Sequence, residues 1–169
     1  KDARGVLPDI IIEPNYYSKL SERLIYDDYI FNYVNQLSRK GFNVKSPKEF
    51  SLSDQEYKSF KNYLIGKDIE YSNESEQLLS QLIGSIKQEK YFEENQEYLS
   101  KLKENLHPNL SKDLESNKQE IKQMLESEIV SRTHYQKGRI EASLKDDPYI
   151  NQAIAVLLDT SRYNKILNK

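Results

Sequence analysis

The residue types that could carry chemistry are few in this chain, and they are widely spaced. His107 and His134 stand 27 positions apart, with no His-x-x-x-His or Glu-x-x-His pairing nearby. A zinc or di-metal site would need four ligands that the local sequence does not supply. No metal is expected, and the two histidines are read as a cation at a helix C-terminus and a partly exposed helix residue. Asp27-Asp28 and Asp146-Asp147 are paired carboxylates of the kind used in acid/base work. Both pairs fall where helices are about to start, so they are read as caps facing the positive end of the helix dipole. The five glycines, at positions 5, 41, 66, 84 and 138, are too dispersed for GxGxxG or GxxxxGK[ST], so no nucleotide cofactor is expected from those motifs. No serine or lysine sits in a local setting that would place a nucleophile against its base on a rigid turn. The sequence has no cysteine, which excludes disulfides and thiolate metal ligands.

The elements that would position any such residues are helical. Hydrophobic residues are 37% of the chain and charged residues 31%, so apolar area is scarce and must lie in stripes along helices. With 25 Lys and Arg interleaved among 27 Asp and Glu, there is no basic patch for nucleic acid and no polybasic membrane anchor. No run approaches the ~18 apolar residues of a membrane span. Val6 to Pro14 is β-branched and bracketed by prolines, and reads as a short strand; finding no convincing partner strand downstream, we expect its sheet to lie upstream of Lys1. From Ser18 the period becomes helical: a short helix, then one ending at Gly41, then one opened by a Ser53/Glu56 capping box with Tyr57, Phe60 and Leu64 buried. Asn73 and Glu76 repeat the start signal for a helix whose Leu78, Leu79, Leu82, Ile83 and Ile86 make the strongest apolar stripe, expected in the core. Gly84 inside it costs roughly 1 kcal/mol relative to Ala unless another helix approaches closely there. A further helix with Tyr98, Leu99, Leu102 and Leu106 should stop at the turn His107-Pro108-Asn109. Asp147-Pro148 then opens a helix with Ile150, Ala153, Ile154, Leu157 and Leu158 as its buried face, and a last short helix carries Tyr163, Ile166 and Leu167.

Between those two turns, Ser111 to about Leu144 contains no proline and predicts a spine helix about 50 Å long. Leu110, Leu114, Ile121, Leu125 and Ile129 fall on one face, which continues through Glu128, Arg132, Tyr135, Gln136, Arg139 and Ser143. An apolar stripe thus turns polar halfway along. One reading is an i,i+4 Glu128 to Arg132 pair within a network against the helix at Pro148. The other is a docking face built on Arg132, Tyr135 and Arg139, since Arg and Tyr are enriched at interfaces. The expected fold is all-α: an elongated multi-helix bundle with one long spine helix and a short extended N-terminal segment.

The segments "RGVLPDIIIEP", "FKNYLIGKDIEY" and above all "EIVSRTHYQKGRIEASLKDDPYINQAIAVLLD" resemble the C-terminal part of carboxy-terminal processing proteases, also called tail-specific proteases, in the long form of some Gram-negative bacteria. The likeness covers nearly the whole chain. It implies that residues 1–17 are the end of a protease domain, with Gly5, Pro8 and Asp9 matching its closing Gly-x-x-Pro-Asp segment, and that residues 18–169 are a helical C-terminal domain. The family is one of periplasmic serine endopeptidases with a substrate-capturing PDZ domain and a Ser/Lys dyad. The positions that carry that dyad lie upstream of the Gly-x-x-Pro-Asp segment, so no catalytic residue carries over to this chain. The resemblance therefore implies a non-catalytic domain that docks on or regulates the protease and PDZ domains of the same polypeptide. A homo-oligomer is a further expected partner arrangement, and the competing reading is a free-standing helical protein-binding module.

Overall fold

The computed structural model describes residues 8–13, 16–72 and 74–167. The chain opens with Pro8 to Glu13 in bends and irregular backbone, mostly exposed. No strand forms among the described residues, and the rest of the expected strand, at Val6, Leu7 and Pro14, lies outside them.

Local signals set where the first helices start and stop. Ser18 caps α1 (Lys19–Tyr26) by accepting from Ser21 N. α2 (Tyr29–Arg39) follows a sharp turn in which Asp28 takes φ 59°. Of the expected caps there, Asp28 occupies the cap position without a side-chain hydrogen bond, and Asp27 pairs with Arg23 at 2.7 Å instead. Asp28 has left-handed backbone angles in place of the extended ones typical of a capping residue, and its carboxylate makes no bond to the free amides of α2. Gly41, at φ +78°, lets the chain leave α2. α3 (Asp54–Leu64) has the full reciprocal capping box of Ser53 and Glu56. Asp54 in its first turn pairs with Lys118 at 2.9 Å and Lys122 at 3.4 Å, and the Lys118 hydrogen bond in particular holds its carboxyl below the usual range.

The main core gathers α1, α2, α3, α6 (Leu110–Ser116) and the first part of α7 (Lys118–Ser143). Leu24, Phe60, Leu64, Ile121, Leu125 and Val130 are fully buried there. Tyr33 meets Phe60 edge-on with ring centroids 5.0 Å apart, and such a pair adds about 1 kcal/mol beyond its buried area. Tyr57 is buried with its hydroxyl donating to Leu114 O at 2.6 Å, which joins α3 to α6.

Two apolar stripes miss this core. α4 (Glu74–Gln88) packs as a hairpin on α5 (Phe92–Leu106), and only Leu79 and Leu99 are buried between them. Leu78 and Leu82 are exposed, contrary to the expectation of a core helix, because a single neighbouring helix covers only a narrow line of a broad apolar face. No atom outside the helix approaches Gly84, so its helix cost is not offset by close packing. Asn73 lies outside the described residues. At the other end α8 (Pro148–Leu158) is capped by Asp147, which accepts from Tyr149 N and Ile150 N, as expected. Its face is not buried: the short α9 (Thr160–Ile166) is its neighbour, and neither helix has a buried residue. A seven-residue helix is too short to cover an eleven-residue one.

The expected continuous spine is also interrupted. α6 ends at Asn117, which caps its last turn and donates from its side chain to Asp113 O at 2.8 Å. The second interruption falls inside α7, at Tyr135.

α7 holds its neighbours by more than apolar contact. Glu126 Oε1 accepts from Leu52 N at 2.7 Å, and Glu120 Oε1 accepts from Ser18 N at 2.9 Å. The two carboxylates thus fix the residues that lead into α3 and α1. Leu52 is 1% exposed, so Glu126→Ala leaves an amide buried with no acceptor, at a cost of about 1–3 kcal/mol. Glu126→Gln keeps an oxygen at that place and is expected to lose clearly less; urea denaturation of the two variants distinguishes them, and equal stabilities would show that the bond contributes nothing.

Burial pushes the Tyr57 hydroxyl well above its ordinary value of 10.0, and the nearby Glu115 charge adds to the shift. The folded chain therefore keeps that proton where the unfolded chain gives it up. Above about pH 10 the unfolded state binds fewer protons, and stability falls by about 1.4 kcal/mol per pH unit from this group alone. Tyr57→Phe is expected to flatten that alkaline slope while costing about 1 kcal/mol at neutral pH, where the Leu114 carbonyl loses its donor. Denaturant titrations across the alkaline range measure both effects.

Candidate functional site

The break in α7 occurs without proline. Tyr135 has φ 55° and ψ −157°, a conformation that costs a bulky residue on the order of 1–3 kcal/mol. The two arms, 118–134 and 136–143, fold back on one another at this single residue. In a straight helix Ser127 and Ser143 would stand about 24 Å apart along the axis, yet both line one groove. Gly138 makes the approach feasible. It is buried, and a methyl group in its place would lie 2.1 Å from His134 Cβ and 3.1 Å from Val130 Cγ1. Ala142, further along the second arm, packs against the main core.

The reversal separates the three residues of the expected docking face. Arg132 points inward: its guanidinium donates to Glu128 Oε1 at 2.6 Å and lies 4.4 Å from the centre of the Phe31 ring on α2. Its Nε is buried with no hydrogen-bond partner, as a guanidinium laid flat on an aromatic ring allows. Tyr135 stands at the apex of the reversal, 78% exposed. Arg139 is exposed on the second arm, at the rim of the groove that Phe31 and Glu128 also line. The expected i,i+4 pair is present, but its partner beyond the helix is Phe31 rather than the helix at Pro148.

The groove has a volume of about 500 Å³ and lies between α1, α2 and the two arms of α7. Ile30, Phe31, Phe50 and Met124 give it apolar walls; Asp28, Glu126, Glu128 and Asp146 give it carboxylates, against Arg139 as its cation. Glu126 is committed to Leu52 N and Glu128 to Arg132, which leaves Asp28 and Asp146 as its exposed acids without an ion-pair partner among the described residues.

Side chains that chemistry could use are otherwise engaged in structure. Thr133 Oγ1 lies 2.8 Å from His134 Nδ1, the spacing of a hydroxyl and a base, a pair that separation along the chain could not distinguish from any Thr-His dipeptide. It also lies 3.4 Å from Val130 O, and no carboxylate among the described residues orients the imidazole, as nucleophile activation would require. His107 pairs with Glu76 at 3.2 Å, linking the end of α5 to the start of α4. Among the described residues no cluster of His, Asp and Glu is arranged to hold a metal ion, and no helix is long and apolar enough to cross a membrane. Sequence reasoning missed Glu120 and Glu126, whose amide partners lie 102 and 74 residues away, and it missed the role of Gly138, for which a glycine in the middle of a helical pattern was the available signal.

Comparison with known proteins yields one family. A family model described as "Probable PDZ-protease, C-terminal helical domain" matches residues 20–157. No curated protein and no solved structure gives a match. The match spans most of the chain and runs from α1 to α8, across the capped helices and the reversal at Tyr135, and the chain belongs to this family of C-terminal helical domains of probable PDZ-proteases.

Proposed function

We propose that this chain is a non-catalytic helical module that docks on the protease and PDZ domains of its own polypeptide, in the periplasm, and regulates or positions them. Residues 1–17 are the end of the protease domain in this reading, and residues 18–169 the module. The parent is a tail-specific serine peptidase whose Ser/Lys pair lies outside this chain. The purified chain is accordingly expected to leave casein intact, and cleavage abolished by changing one of its residues would reject the proposal.

The observation that carries the docking face is Tyr135. Its backbone is strained and its ring is exposed, so the ring's position is not explained by packing inside the chain. Strain held at an exposed aromatic is a form of pre-organisation, because the ring is already presented and less freedom is lost on contact. Arg139, exposed on the second arm at the rim of the groove, supplies the charged member of the face; Arg132 supports the first arm from within through Phe31 and Glu128.

Three substitutions separate docking from folding. Tyr135→Gly relieves the positive φ, since glycine adopts it at no steric cost. It is expected to keep or raise the melting temperature while weakening association with the protease–PDZ portion by about tenfold or more, the loss of an aromatic hot spot. Arg139→Ala is expected to leave melting unchanged and slow association. Arg132→Ala is expected to lower melting by a few degrees, since the stacked guanidinium is lost and Glu128 is left without its cation. Thermal melts beside a titration with the protease–PDZ portion read all three. If Tyr135→Gly destabilises the chain and leaves association intact, the ring is structural and the docking face is refuted.

A further inference from the structure

The arm formed by α8 and α9 and the groove beside α7 are both uncovered within one chain, although they lie next to each other in sequence. The groove wall ends at Asp146, and α8 begins at Pro148. The arm is strongly apolar: Leu157 is 65% and Leu158 81% exposed, with Tyr149 and Ile154 also exposed. Such a face on a helix without a single charged residue is a surface that water disfavours. Its own groove does not relieve it. The Asp147 carboxylate fixes the direction in which α8 leaves, and no residue of α8 or α9 lines the groove.

We propose that the arm of one chain docks in the groove of a second copy, and reciprocally, so that two chains form a two-fold dimer by exchanging their C-terminal helices. Charge favours this occupant. The eleven residues of α8 carry no charge, the Asp159 carboxylate at their end caps α9 by accepting from Arg162 N, and α9 brings Arg162 and Lys165 toward Asp28 and Asp146, which have no ion-pair partner among the described residues. Leu157 and Leu158 meet apolar walls formed by Phe31, Phe50 and Met124. A two-fold arrangement makes both contacts twice, with the same residues on each side. The inference does not use Tyr135: it rests on the arm and on the acids of the groove, and Arg139 at the groove rim is the residue it shares with the docking face.

Light scattering of the 169-residue chain over a range of concentrations tests it. The expected mass rises toward twice the 19.9 kDa of one chain. Leu157→Asp with Leu158→Asp, both at exposed positions, is expected to hold the chain at single mass with its melting curve retained. Asp28→Lys with Asp146→Lys is expected to raise the dimer dissociation constant by about tenfold or more, and adding Arg162→Glu with Lys165→Glu to that variant is expected to restore it. The chain has no cysteine, so one cysteine at Ile25, which also lines the groove, in one copy and one at Leu157 in another gives an unambiguous cross-link between copies. Single mass at every concentration would overturn the proposal. So would a dimer indifferent to the groove charges, which would mean that the arms pair with each other, and so would a disulfide closed within one chain carrying both cysteines, which would place the arm in its own groove.

Discussion

Everything else in this fold depends on how much the first arm of α7 is asked to hold. Ile121, Leu125 and Ile129 present one buried stripe to α1, α2, α3 and α6, as the 3.6-residue period requires. Glu120 and Glu126, on the flanks of that stripe, accept from the backbone amides of Ser18 and Leu52. Apolar contact is non-directional and would tolerate a helix sliding along its neighbour; a carboxylate on a single amide does not. The arm therefore supplies both the area that drives collapse and the hydrogen bonds that set the register of α1 and α3 against it.

That fixed arm makes the reversal at Tyr135 affordable in free-energy terms. The sequence from 118 to 143 contains no proline, and a continuous helix would avoid the positive φ. A continuous helix would also carry Ala142 away from the core it now packs against and lose the close contact of Gly138 with Val130 and His134. Burial of the second arm thus competes with about 1–3 kcal/mol of backbone strain. The balance turns on the absence of a side chain at one position. With any Cβ at Gly138 the arms could not approach, and the strain at Tyr135 would have nothing to offset it.

What could be read from the sequence follows from the range of the interactions concerned. The Ser53/Glu56 box and the Asp147 cap were legible because a cap and its amides lie within three residues of each other. The buried face Tyr57, Phe60 and Leu64 was legible because α3 has neighbours on that side. The stripes of α4 and α8 were read with the same rule and misplaced. Periodicity identifies which residues share a face, and it carries no information on whether another helix covers that face. Arg132, Tyr135 and Arg139 share one face only in a straight helix; Arg132, on the first arm, keeps the direction of the buried stripe and meets Phe31, while the residue out of the helical region and Arg139 beyond it are exposed. No local propensity marks Tyr135 as a joint, because the cause is tertiary: a glycine three residues later meeting a turn of helix that precedes the joint.

The same distinction separates the parts of the chain that hold the fold from those open to partners. The residues that α7 draws together are buried, capped or paired, and little of their surface remains to be satisfied. The apolar residues left uncovered lie mainly at the extremities: along the α4–α5 hairpin, at the apex of α7, and along α8 and α9. Membership of a family described as the C-terminal helical domain of probable PDZ-proteases gives those surfaces a physical rationale. A module attached to another domain is under no requirement to bury every apolar face by itself, since contact with that domain or with a second copy can complete the burial. An isolated globular protein with as little apolar area as this one would be expected to bury more of it; here part of that area is exposed on well-formed helices whose starts and ends are already fixed, so a partner meets a surface that needs little further ordering.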